Sequence, residues 1–385
     1  MYVALLVLKN ALRHKLRTIL TIVGIVVAIT AFGLLRTIVD AWYAGANASS
    51  SARLVTRNAV SLVFSMPVTY AQKIRQVPGV ASVALANWFG GVYISERNFF
   101  PQFAISAPSY LEMYPEYVLS PEEKKAFLTD RTGAIAGRKL AEQYGWKIGD
   151  QVPLRGTIFP GTWTFALRGI YDGADKGTDQ STFFFHWEYL NETVKRQFPR
   201  RGDQSGVFVV QLKDPQQAAE VSEAIDATFK NSLAETLTET EKAFQLGFVA
   251  MTEAILLAIQ AVSFVVIVII MAVMANTMAM TARERYGEYA TLKALGFGNG
   301  FVALMIFAES LAIAVVGGVA GIALTFPLAR GFADAMGSLF PIFFVSEDTV
   351  LMQLAAAILI GVVAACIPAW KAARVRIVDG LRAVA

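Results

Sequence analysis

The chain contains 385 residues, of which 55% are hydrophobic and 17% are charged, and its formal net charge is +4. Soluble domains carry about 25% charged residues, so this composition excludes an ordinary soluble protein and favours a membrane protein. The small positive charge does not indicate nucleic-acid binding, which would require a basic face on a soluble domain.

The first predicted element is a membrane helix. A basic N-terminal segment, residues 1–17, precedes an uncharged run from Thr18 to Leu35. About 20 apolar residues span a bilayer, so we predict transmembrane helix 1 at residues 18–39. A secretory signal peptide is the alternative, because Ala46-Asn47-Ala48 resembles a cleavage site. The uncharged run is longer than the about 7 to 15 residues of a signal core, which favours a retained helix.

Residues 40–247 are predicted to form a mixed α/β domain outside the cytoplasm. Four runs rich in β-branched and aromatic residues are bounded by Gly, Pro or Asp and are typical of strands. These predicted strands are Val60–Ser65, Val80–Trp88, Trp163–Tyr171 and Val207–Leu212. A helix is predicted after Ser120, where Ser-Pro-Glu-Glu is typical of a capping box, and another at Pro215–Asn231, where apolar residues recur with a helical period.

Patterns for catalysis or metal binding are absent from this predicted domain. His186 is its only histidine, and neither a His-Glu-x-x-His motif nor a Cys/His cluster accompanies it. The carboxylate pairs Glu122/Glu123 and Glu112/Glu116 lie at a helix start and in a Tyr/Pro loop, where solvated charges are commoner than an acid–base pair. The chain also lacks a G-x-x-x-x-G-K-[ST] phosphate loop. We therefore expect no catalytic residue, metal or cofactor in this chain.

The segment that follows the domain is predicted to be a stalk. From Ser232 to Glu284 the chain has no Pro and one Gly, Gly247, and its polar first part leads directly into the uncharged run Ala254 to Ala282. We interpret this segment as one continuous helix that includes transmembrane helix 2 at residues 248–282. Such a helix could carry motion across a membrane; the alternative is that it is only a tether.

Two further uncharged runs, Ser310 to Ala329 and Thr349 to Trp370, complete the predicted membrane part. The sequence thus predicts an α-helical membrane protein with four transmembrane helices, one before the large α/β domain and three after it. The remaining predicted segments are a charged segment at 283–298, transmembrane helix 3 at 299–330, a loop at 331–348, transmembrane helix 4 at 349–370 and a tail at 371–385.

The distribution of Lys and Arg predicts the topology. The 331–348 loop contains neither residue and the 40–247 insertion is nearly neutral, which places both outside the cytoplasm. The positive-inside rule places both termini and the 283–298 segment in the cytoplasm. The basic residues behind this prediction are Lys9, Arg13, Lys15, Arg17, Arg283, Arg285, Lys293, Lys371, Arg374, Arg376 and Arg382.

Two features inside the predicted helices require partners. Glu309 lies near the cytoplasmic end of helix 3, and an ionisable group there requires a reason. It could pair with a cytoplasmic Arg or Lys, contact a partner protein or form part of a substrate path. Gly317 and Gly321 form a G-x-x-x-G pair, which permits the close approach of another helix.

The charged segment carries a family signature. In RERYGEYATLKALGF, Arg283–Phe297, the residues Glu284-Arg285, Glu288 and Leu292–Gly296 resemble the E-R-x-x-E-I-A-x-L-K-A-L-G motif of MacB-type (type VII) ABC transporter permeases. This group includes the lipoprotein-release permeases and FtsX. Tyr289 stands where the motif has Ile.

Two more blocks agree with this family in the same order along the chain. The block Lys15–Ile25 is similar to K-L-R-T-x-L-T-x-x-G-I, and Pro368–Arg374 with Leu381-Arg382 is similar to P-A-W-R-A-A-R…L-R. Arg376-Ile377 and Asp379-Gly380 depart from the Asp-Pro and Glu-Ala that are common in the family.

The resemblance implies a function and a set of partners. It implies the permease subunit of an ABC transporter, in which a separate ATPase subunit binds ATP and Mg and drives a conformational change outside the cytoplasm (mechanotransmission) for export or efflux of a drug, peptide, lipid or lipoprotein. The implied partners are that ATPase, a second permease copy in a homodimer, a periplasmic adaptor and membrane lipids. The implied location is the bacterial inner membrane. The alternative is an FtsX-like subunit that regulates an extracytoplasmic enzyme without transporting a substrate.

The resemblance also implies that the charged segment is a coupling helix that docks into the ATPase. The implied coupling residues are Arg283, Glu284, Arg285, Glu288, Tyr289, Leu292, Lys293, Leu295 and Gly296. We expect the charged side chains to meet water and the partner, and the Tyr and Leu side chains to face the membrane or a groove of the partner. Gly296 is expected to take a left-handed conformation at the helix end.

Overall fold

The computed structural model describes residues 15–336, 340 and 342–375. Most of the predicted N-terminal segment and of the C-terminal tail lies outside these described residues, including Lys9, Arg13, Arg376 and Arg382. The chain divides into two compact units. A helical unit contains the described residues of segments 1–41, 252–335 and 343–385, and an α/β unit contains those of segments 42–251 and 336–342.

The α-helices are numbered here in chain order. They are α1 (Lys15–Ala48), α2 (Tyr70–Arg75), α3 (Ala107–Met113), α4 (Pro121–Thr129), α5 (Arg138–Tyr144), α6 (Trp187–Gln197), α7 (Ala218–Thr228), α8 (Glu241–Ala250), α9 (Glu253–Glu284), α10 (Tyr286–Ala294), α11 (Asn299–Met336) and α12 (Glu347–Ala373). Among the described residues, 4 helices are long and apolar enough to cross a membrane, namely α1, α9, α11 and α12. The predicted fold class, with one such helix before the α/β unit and three after it, is confirmed.

Glycines bring α11 close to α1 in the helical unit. A Cβ atom placed on Gly317 would lie 2.8 Å from the side chain of Ile25, and one on Gly321 would lie 2.9 Å from that of Ile29. Real Cβ contacts are essentially never this short, so any larger residue would force the helices apart. The G-x-x-x-G pair therefore faces the first membrane helix.

A buried amide links three of the membrane helices. Gln353 of α12 donates from Nε2 to the backbone oxygen of Ile29 in α1 at 2.9 Å and to the hydroxyl of Thr325 in α11 at 2.8 Å. A Cβ atom on Gly33 would lie 2.0 Å from the same Nε2 atom, so the amide fits only against a glycine. Polar bonds of this kind hold membrane helices together.

The strands of the α/β unit are also numbered in chain order. They are β1 (Arg53–Asn58), β2 (Met66–Pro67), β3 (Val80–Trp88), β4 (Gly91–Val92), β5 (Gln102–Ile105), β6 (Tyr117–Val118), β7 (Gly133–Gly137), β8 (Gln151–Gly156), β9 (Gly161–Gly173), β10 (Phe183–His186), β11 (Gln204–Ser205), β12 (Val207–Leu212) and β13 (Thr236–Thr240).

Eleven of these strands form one sheet within the described residues. The main path runs β13-β1-β12-β3-β5-β10-β7-β9-β8-β4, β6 pairs with β9, and β2 and β11 form a separate pair. The pairs β5–β10 and β7–β9 are parallel, and the other pairs on the path are antiparallel. The sheet separates two apolar cores: Phe183 and Phe185 of β10 enter one and Phe184 enters the other. This alternation follows from the period of two along a strand.

Several local predictions for the α/β unit are confirmed. The predicted strands at Val80–Trp88 and Val207–Leu212 are β3 and β12, and that at Trp163–Tyr171 lies within β9. Helix α4 begins with the predicted capping box, in which Ser120 and Glu123 exchange hydrogen bonds. The helix predicted from Pro215 begins as a short 3-10 turn and continues as α7.

The predicted strand at Val60–Ser65 is wrong. After β1 ends at Asn58, the side-chain Oδ1 of that residue accepts from the backbone N–H of Val60 at 2.9 Å and turns the chain. Val60 and Val63 are then 80% and 86% exposed. The partner β13 begins opposite Asn58, and the N–H of Ala59 donates to the oxygen of Glu235, the residue before β13, so the pairing with β13 ends where the chain turns.

The continuous stalk helix predicted from Ser232 to Glu284 is also wrong. Its first part forms β13, which pairs antiparallel with β1, and Asp226 accepts hydrogen bonds from Thr236 and Thr238 of this strand. Thr residues favour a strand when their hydroxyl groups find partners there. Helix α8 then begins after the capping residue Thr240, and Met251–Thr252 separates it from α9.

Candidate functional site

The charged segment between the second and third membrane helices folds as the short helix α10. The backbone of Arg285 leaves the helical region, with φ −107° and ψ 14°, and this break separates α10 from α9. Four side chains near the break then attach this part of the chain to its surroundings: Glu284, Arg285, Tyr289 and Lys293.

A glycine turn ends α10. Gly296 has φ +97°, and its N–H donates to the oxygen of Lys293 at 3.0 Å while the N–H of Phe297 donates to that of Leu292 at 3.1 Å. This pair of bonds is a Schellman motif, which needs a left-handed residue. The expected left-handed conformation of Gly296 is confirmed.

Arg285 forms a buried ion pair with Glu309. Its Nη1 atom lies 2.8 Å from Oε2 of Glu309 in α11, and the two side chains are 7% and 6% exposed. Its Nε atom lies 3.0 Å from Oε2 of Glu288, and its guanidinium carbon lies 5.4 Å from the centre of the Tyr289 ring. Of the three possibilities for Glu309, the structure shows the pairing with a basic residue of the charged segment.

Two expectations about this segment are wrong. The sequence predicts that Arg285 meets water, but the structure buries it. Glu309 is itself buried in the helical unit and requires an opposite charge beside it. Tyr289 was expected to face the membrane or a partner, and instead it is 1% exposed within the core of the helical unit. Burial raises the pKa of Tyr289 to about 12, so its phenol is neutral at physiological pH.

Lys293 attaches α10 to the end of the fourth membrane helix. Its Nζ atom donates to the backbone oxygen atoms of Ala373 at 2.8 Å and Val375 at 2.9 Å. The last carbonyl groups of a helix lack partners within the helix and carry its negative pole, so an ammonium group is favoured there. Partial burial lowers the pKa of Lys293.

Glu284 connects the second membrane helix to the first. Its two carboxylate oxygens accept from Nη1 and Nη2 of Arg17 in α1, both at 2.8 Å. This fork-to-carboxylate geometry fixes orientation as well as distance. Side-chain groups of α1 and α11 and backbone oxygens at the end of α12 are therefore bonded to α10 or to the two residues before it, by ion pairs or by hydrogen bonds from Lys293.

The structure divides the predicted coupling residues into two groups. Arg285, Tyr289, Leu292 and Lys293 are buried or half-buried within the helical unit, whereas Arg283, Glu284, Glu288, Leu295 and Gly296 are exposed. Leu295 is 72% exposed, and Phe297, which the sequence reasoning did not include, is 43% exposed and stacks on Phe301 at 4.7 Å. The four-residue spacing of Phe297 and Phe301 is the signal that could have identified it.

The exposed side chains of α10 and its end turn combine a carboxylate, Glu288, with the apolar groups of Leu295 and Phe297. Arg285 and Lys293 are occupied in ion pairs and in bonds to backbone oxygens. Among the described residues, no group of three or more His, Cys, Asp or Glu side chains is placed to hold a metal ion. His186 is buried, with Nε2 2.7 Å from the backbone oxygen of Phe127.

Comparison with known families agrees with this architecture. Residues 18–228 match the family described as MacB-like periplasmic core domain, and residues 261–377 match FtsX-like permease C-terminal. The first match alone covers more than half of the chain. The protein is therefore a multi-pass membrane protein with a periplasmic-type α/β domain between its first two membrane helices. It belongs to the MacB/FtsX family of ABC transporter permeases.

Two relatives carry descriptions consistent with this family. The chain is 23% identical over 398 residues to an uncharacterized ABC transporter permease of Methanocaldococcus jannaschii, which covers 97% of this chain and 96% of the relative. It is 24% identical over 209 residues to an uncharacterized ABC transporter permease protein of Mycobacterium tuberculosis. That match covers 54% of this chain and only 23% of the length of the relative.

Solved structures resemble about half of this chain at low identity. The periplasmic region of MacB from Actinobacillus actinomycetemcomitans is 8% identical, with 52% of this chain and 94% of that chain covered and a TM-score of 0.36. The extracellular domain of the ABC-type transporter YknZ from Gram-positive bacteria is 13% identical, with 49% and 100% covered and a TM-score of 0.34. The family assignment depends on the matches to the family models.

Proposed function

We propose that the chain is the membrane subunit of a MacB-type export system, and that a separate ABC ATPase subunit docks on the exposed face of α10. The observation that carries this proposal is the attachment of α10 to two later membrane helices. Arg285 binds Glu309 of α11, and Lys293 binds the end of α12. A force applied to α10 would therefore reach both helices through charged contacts that resist being pulled apart.

The docking surface in this proposal consists of Glu288, Leu295 and Phe297. Exposed apolar side chains at the centre of an interface usually contribute most of the binding energy, and charges at its rim contribute orientation and specificity. Leu295 and Phe297 lie on either side of the left-handed Gly296, so the turn that ends α10 carries both of these exposed apolar side chains. ATP and Mg would be bound by the ATPase subunit.

The proposal extends to location and assembly. We propose the bacterial inner membrane, with the α10 segment in the cytoplasm and the α/β unit outside it, a homodimer of permeases and a periplasmic adaptor. The excess of Lys and Arg in the predicted cytoplasmic segments supports this topology. A reporter that is active only outside the cytoplasm should give a signal when it is fused at Ala126. A reporter that is active only in the cytoplasm should give a signal when it is fused at Gly298. A cytoplasmic signal from Ala126 would overturn the topology.

A charge placed in the docking surface tests the ATPase contact. Leu295→Glu would put a carboxylate where an apolar partner surface is expected, and it should abolish copurification of the ATPase with a tagged permease from membranes. Leu233 in the α/β unit is 95% exposed and provides the matched control, because Leu233→Glu introduces the same charge at another exposed leucine. If both variants retain the ATPase equally, α10 is not the docking site.

Two measurements distinguish substrate export from enzyme regulation. If the complex exports a drug, peptide, lipid or lipoprotein, that compound should stimulate ATP hydrolysis by the purified complex. In cells, its exit should depend on the permease. An FtsX-like complex would instead copurify with an extracytoplasmic enzyme and would show no such stimulation.

A further inference from the structure

The chain enters residues 42–251, the larger segment of the α/β unit, and leaves them through two neighbouring helical segments. Residues 42–48 at the end of α1 lead into the unit, and α8 leads out of it. These segments touch: a Cβ atom placed on Gly45 would lie 3.6 Å from the side-chain oxygen of Gln245, which is an ordinary van der Waals distance.

A buried arginine lies where these two segments join the sheet. Arg53, the first residue of β1, has a side chain that is 6% exposed. Its Nε atom lies 2.8 Å from Oε2 of Glu241, its Nη2 atom lies 2.6 Å from Oε1 of Glu116, and its Nη1 atom donates to the oxygen of Met113 at 2.9 Å. Its guanidinium carbon lies 4.0 Å from the centre of the Tyr114 ring.

Glu241 extends this cluster to the end of α1. It is the first residue of α8, and its Oε2 atom also accepts from the backbone N–H of Ser50, just beyond α1, at 3.0 Å. Its Oε1 atom accepts from the hydroxyl of Tyr114 at 2.9 Å. We refer to Ser50, Arg53, Tyr114, Glu116 and Glu241 as the Arg53 clasp.

The chemistry of the clasp fixes geometry more than it adds stability. Removing an arginine and two carboxylates from water is unfavourable, and apolar residues of similar size can stabilise a core as well as a buried ion pair does. A guanidinium fork, however, accepts its partners only in fixed directions, and stacking on a tyrosine ring fixes its plane. Within the clasp, these constraints act on the first residues after α1 and on the first residue of α8 together.

We propose that Arg53 is a positioning residue that holds the end of α1 against the start of α8, so that these two segments move with the α/β unit as one body. The break at Met251–Thr252 lies beyond α8, so α8 belongs with the sheet and not with the membrane helix that follows. The consequence of this inference for transport rests on the proposed function. In that function, motion of the first two membrane helices would reach the α/β unit through both segments at once.

A reducible cross-link between the two segments tests the one-body claim in the full-length permease with its ATPase. In Gly45→Cys/Gln245→Cys a Cβ atom at position 45 lies 3.6 Å from the end of the native Gln245 side chain, so a short thiol-reactive cross-linker with a cleavable disulfide can join the two cysteines. If the segments move together, closing the cross-link should change ATP hydrolysis by the complex by less than about twofold. Loss of hydrolysis on cross-linking that is reversed by reduction would overturn the claim, because it would show that the segments must slide apart.

Breaking the clasp provides the opposite test, and the chain offers a matched control. Arg57 lies on the same strand and pairs with Glu239 at 3.0 Å, and its hydrogen bonds among the described residues go to Glu239 and Asn58 instead of Ser50 or α8. Spin labels at positions 45 and 245 should show a broadened distance distribution in Arg53→Gln and an unchanged one in Arg57→Gln. Glu241→Gln, which keeps the shape of the side chain, provides a second variant if Arg53→Gln does not fold.

These readouts separate the two proposals. The spin-label distances do not require an ATPase, so they decide the clasp even if the proposed function fails. If Arg53→Gln and Glu241→Gln leave the distribution as narrow as in the unchanged protein, the clasp does not position the segments. If the distribution broadens and closure of the 45–245 cross-link restores ATP hydrolysis to Arg53→Gln, Arg53 acts through the positions of the segments and not through a contact with substrate.

Discussion

Each unit of this permease contains a buried arginine that faces two glutamates and a tyrosine ring, and the two clusters differ in how closed they are. In the α/β unit, the guanidinium carbon of Arg53 lies 4.0 Å from the centre of the Tyr114 ring. In the helical unit, Arg285 lies 5.4 Å from the Tyr289 ring. The tyrosine of the first cluster also donates to a glutamate of the cluster, at 2.9 Å.

The carboxylates show the difference most clearly. In the Arg53 clasp, the side chains of Glu116 and Glu241 are 26% and 10% exposed. Beside Arg285, Glu309 is 6% exposed but Glu288 is 42% exposed. A closed cluster can only join segments of its own unit, whereas a cluster with one exposed carboxylate leaves a charge that a partner can contact. The same residue types thus form a closed cluster in one unit and a partly exposed one in the other, which is the difference on which the proposed joint and the proposed docking surface rest.

The largest effect on stability is expected for Arg53→Ala. It would leave two largely covered carboxylates without their positive partner, and breaking a buried pair in this way costs about 3–5 kcal/mol. Thermal unfolding of the purified protein, followed by the fluorescence of the tryptophans in the α/β unit, measures the loss. Arg57→Ala removes a more exposed pair and should cost about 1 kcal/mol or less. Equal losses in the two variants would show that the clasp is not a closed cluster.

A smaller loss is expected for Arg285→Ala. One buried carboxylate, Glu309, loses its partner, while Glu288 keeps access to water, so the expected cost lies at the lower end of the range for a broken buried pair, about 3 kcal/mol. Adding Glu309→Gln removes the uncompensated charge and should recover part of the loss. Thermal aggregation of the detergent-purified protein would measure both. A double variant that is less stable than Arg285→Ala would contradict the assignment of Glu309 as the partner.

Features set by neighbours in the sequence could be predicted. The uncharged runs are long enough to identify the membrane helices, the Ser120 capping box needs only four consecutive residues, and the conformation of Gly296 follows from its place after a helix. Each of these depends on chain length or on hydrogen bonds within a few residues.

Features set by distant partners could not be predicted. The segment that begins at Thr236 forms a strand because β1, far earlier in the chain, offers it an edge, and its threonines favour a strand only where such partners are present. The sequence predicts that Glu116 is a solvated loop charge, whereas in the structure it forms an ion pair with Arg53. The inward position of Arg285 likewise depends on Glu309, in the next membrane helix. In each case a contact between distant parts of the sequence decides the role.

Gly296→Val sharpens the comparison at the end of α10. Nothing lies within 4 Å of a Cβ atom on Gly296, so the effect is limited to its left-handed backbone, which costs an L-residue about 1–2 kcal/mol. The amount of folded permease in membranes should fall. Gly296→Asn should retain more protein, because asparagine tolerates this conformation better. Equal amounts for the two variants would indicate that the turn does not limit folding.

Glu288→Lys should affect stability least and coupling most. Its side chain is 42% exposed, so replacing its contact with Arg285 should change the free energy of unfolding by about 1 kcal/mol or less. In a docked complex, however, the reversed charge would face the ATPase, and a like-charge contact in an interface can cost several kcal/mol. The variant should therefore accumulate normally in membranes while copurification of the ATPase and coupled hydrolysis fall.

Glu288→Gln, which removes the charge without reversing it, should give copurification and coupled hydrolysis between those of Glu288→Lys and of the unchanged protein. If Glu288→Lys is well expressed and keeps both the ATPase and coupled hydrolysis, the exposed carboxylate is only a solvated charge, and the contrast between a closed and an open cluster has no functional meaning.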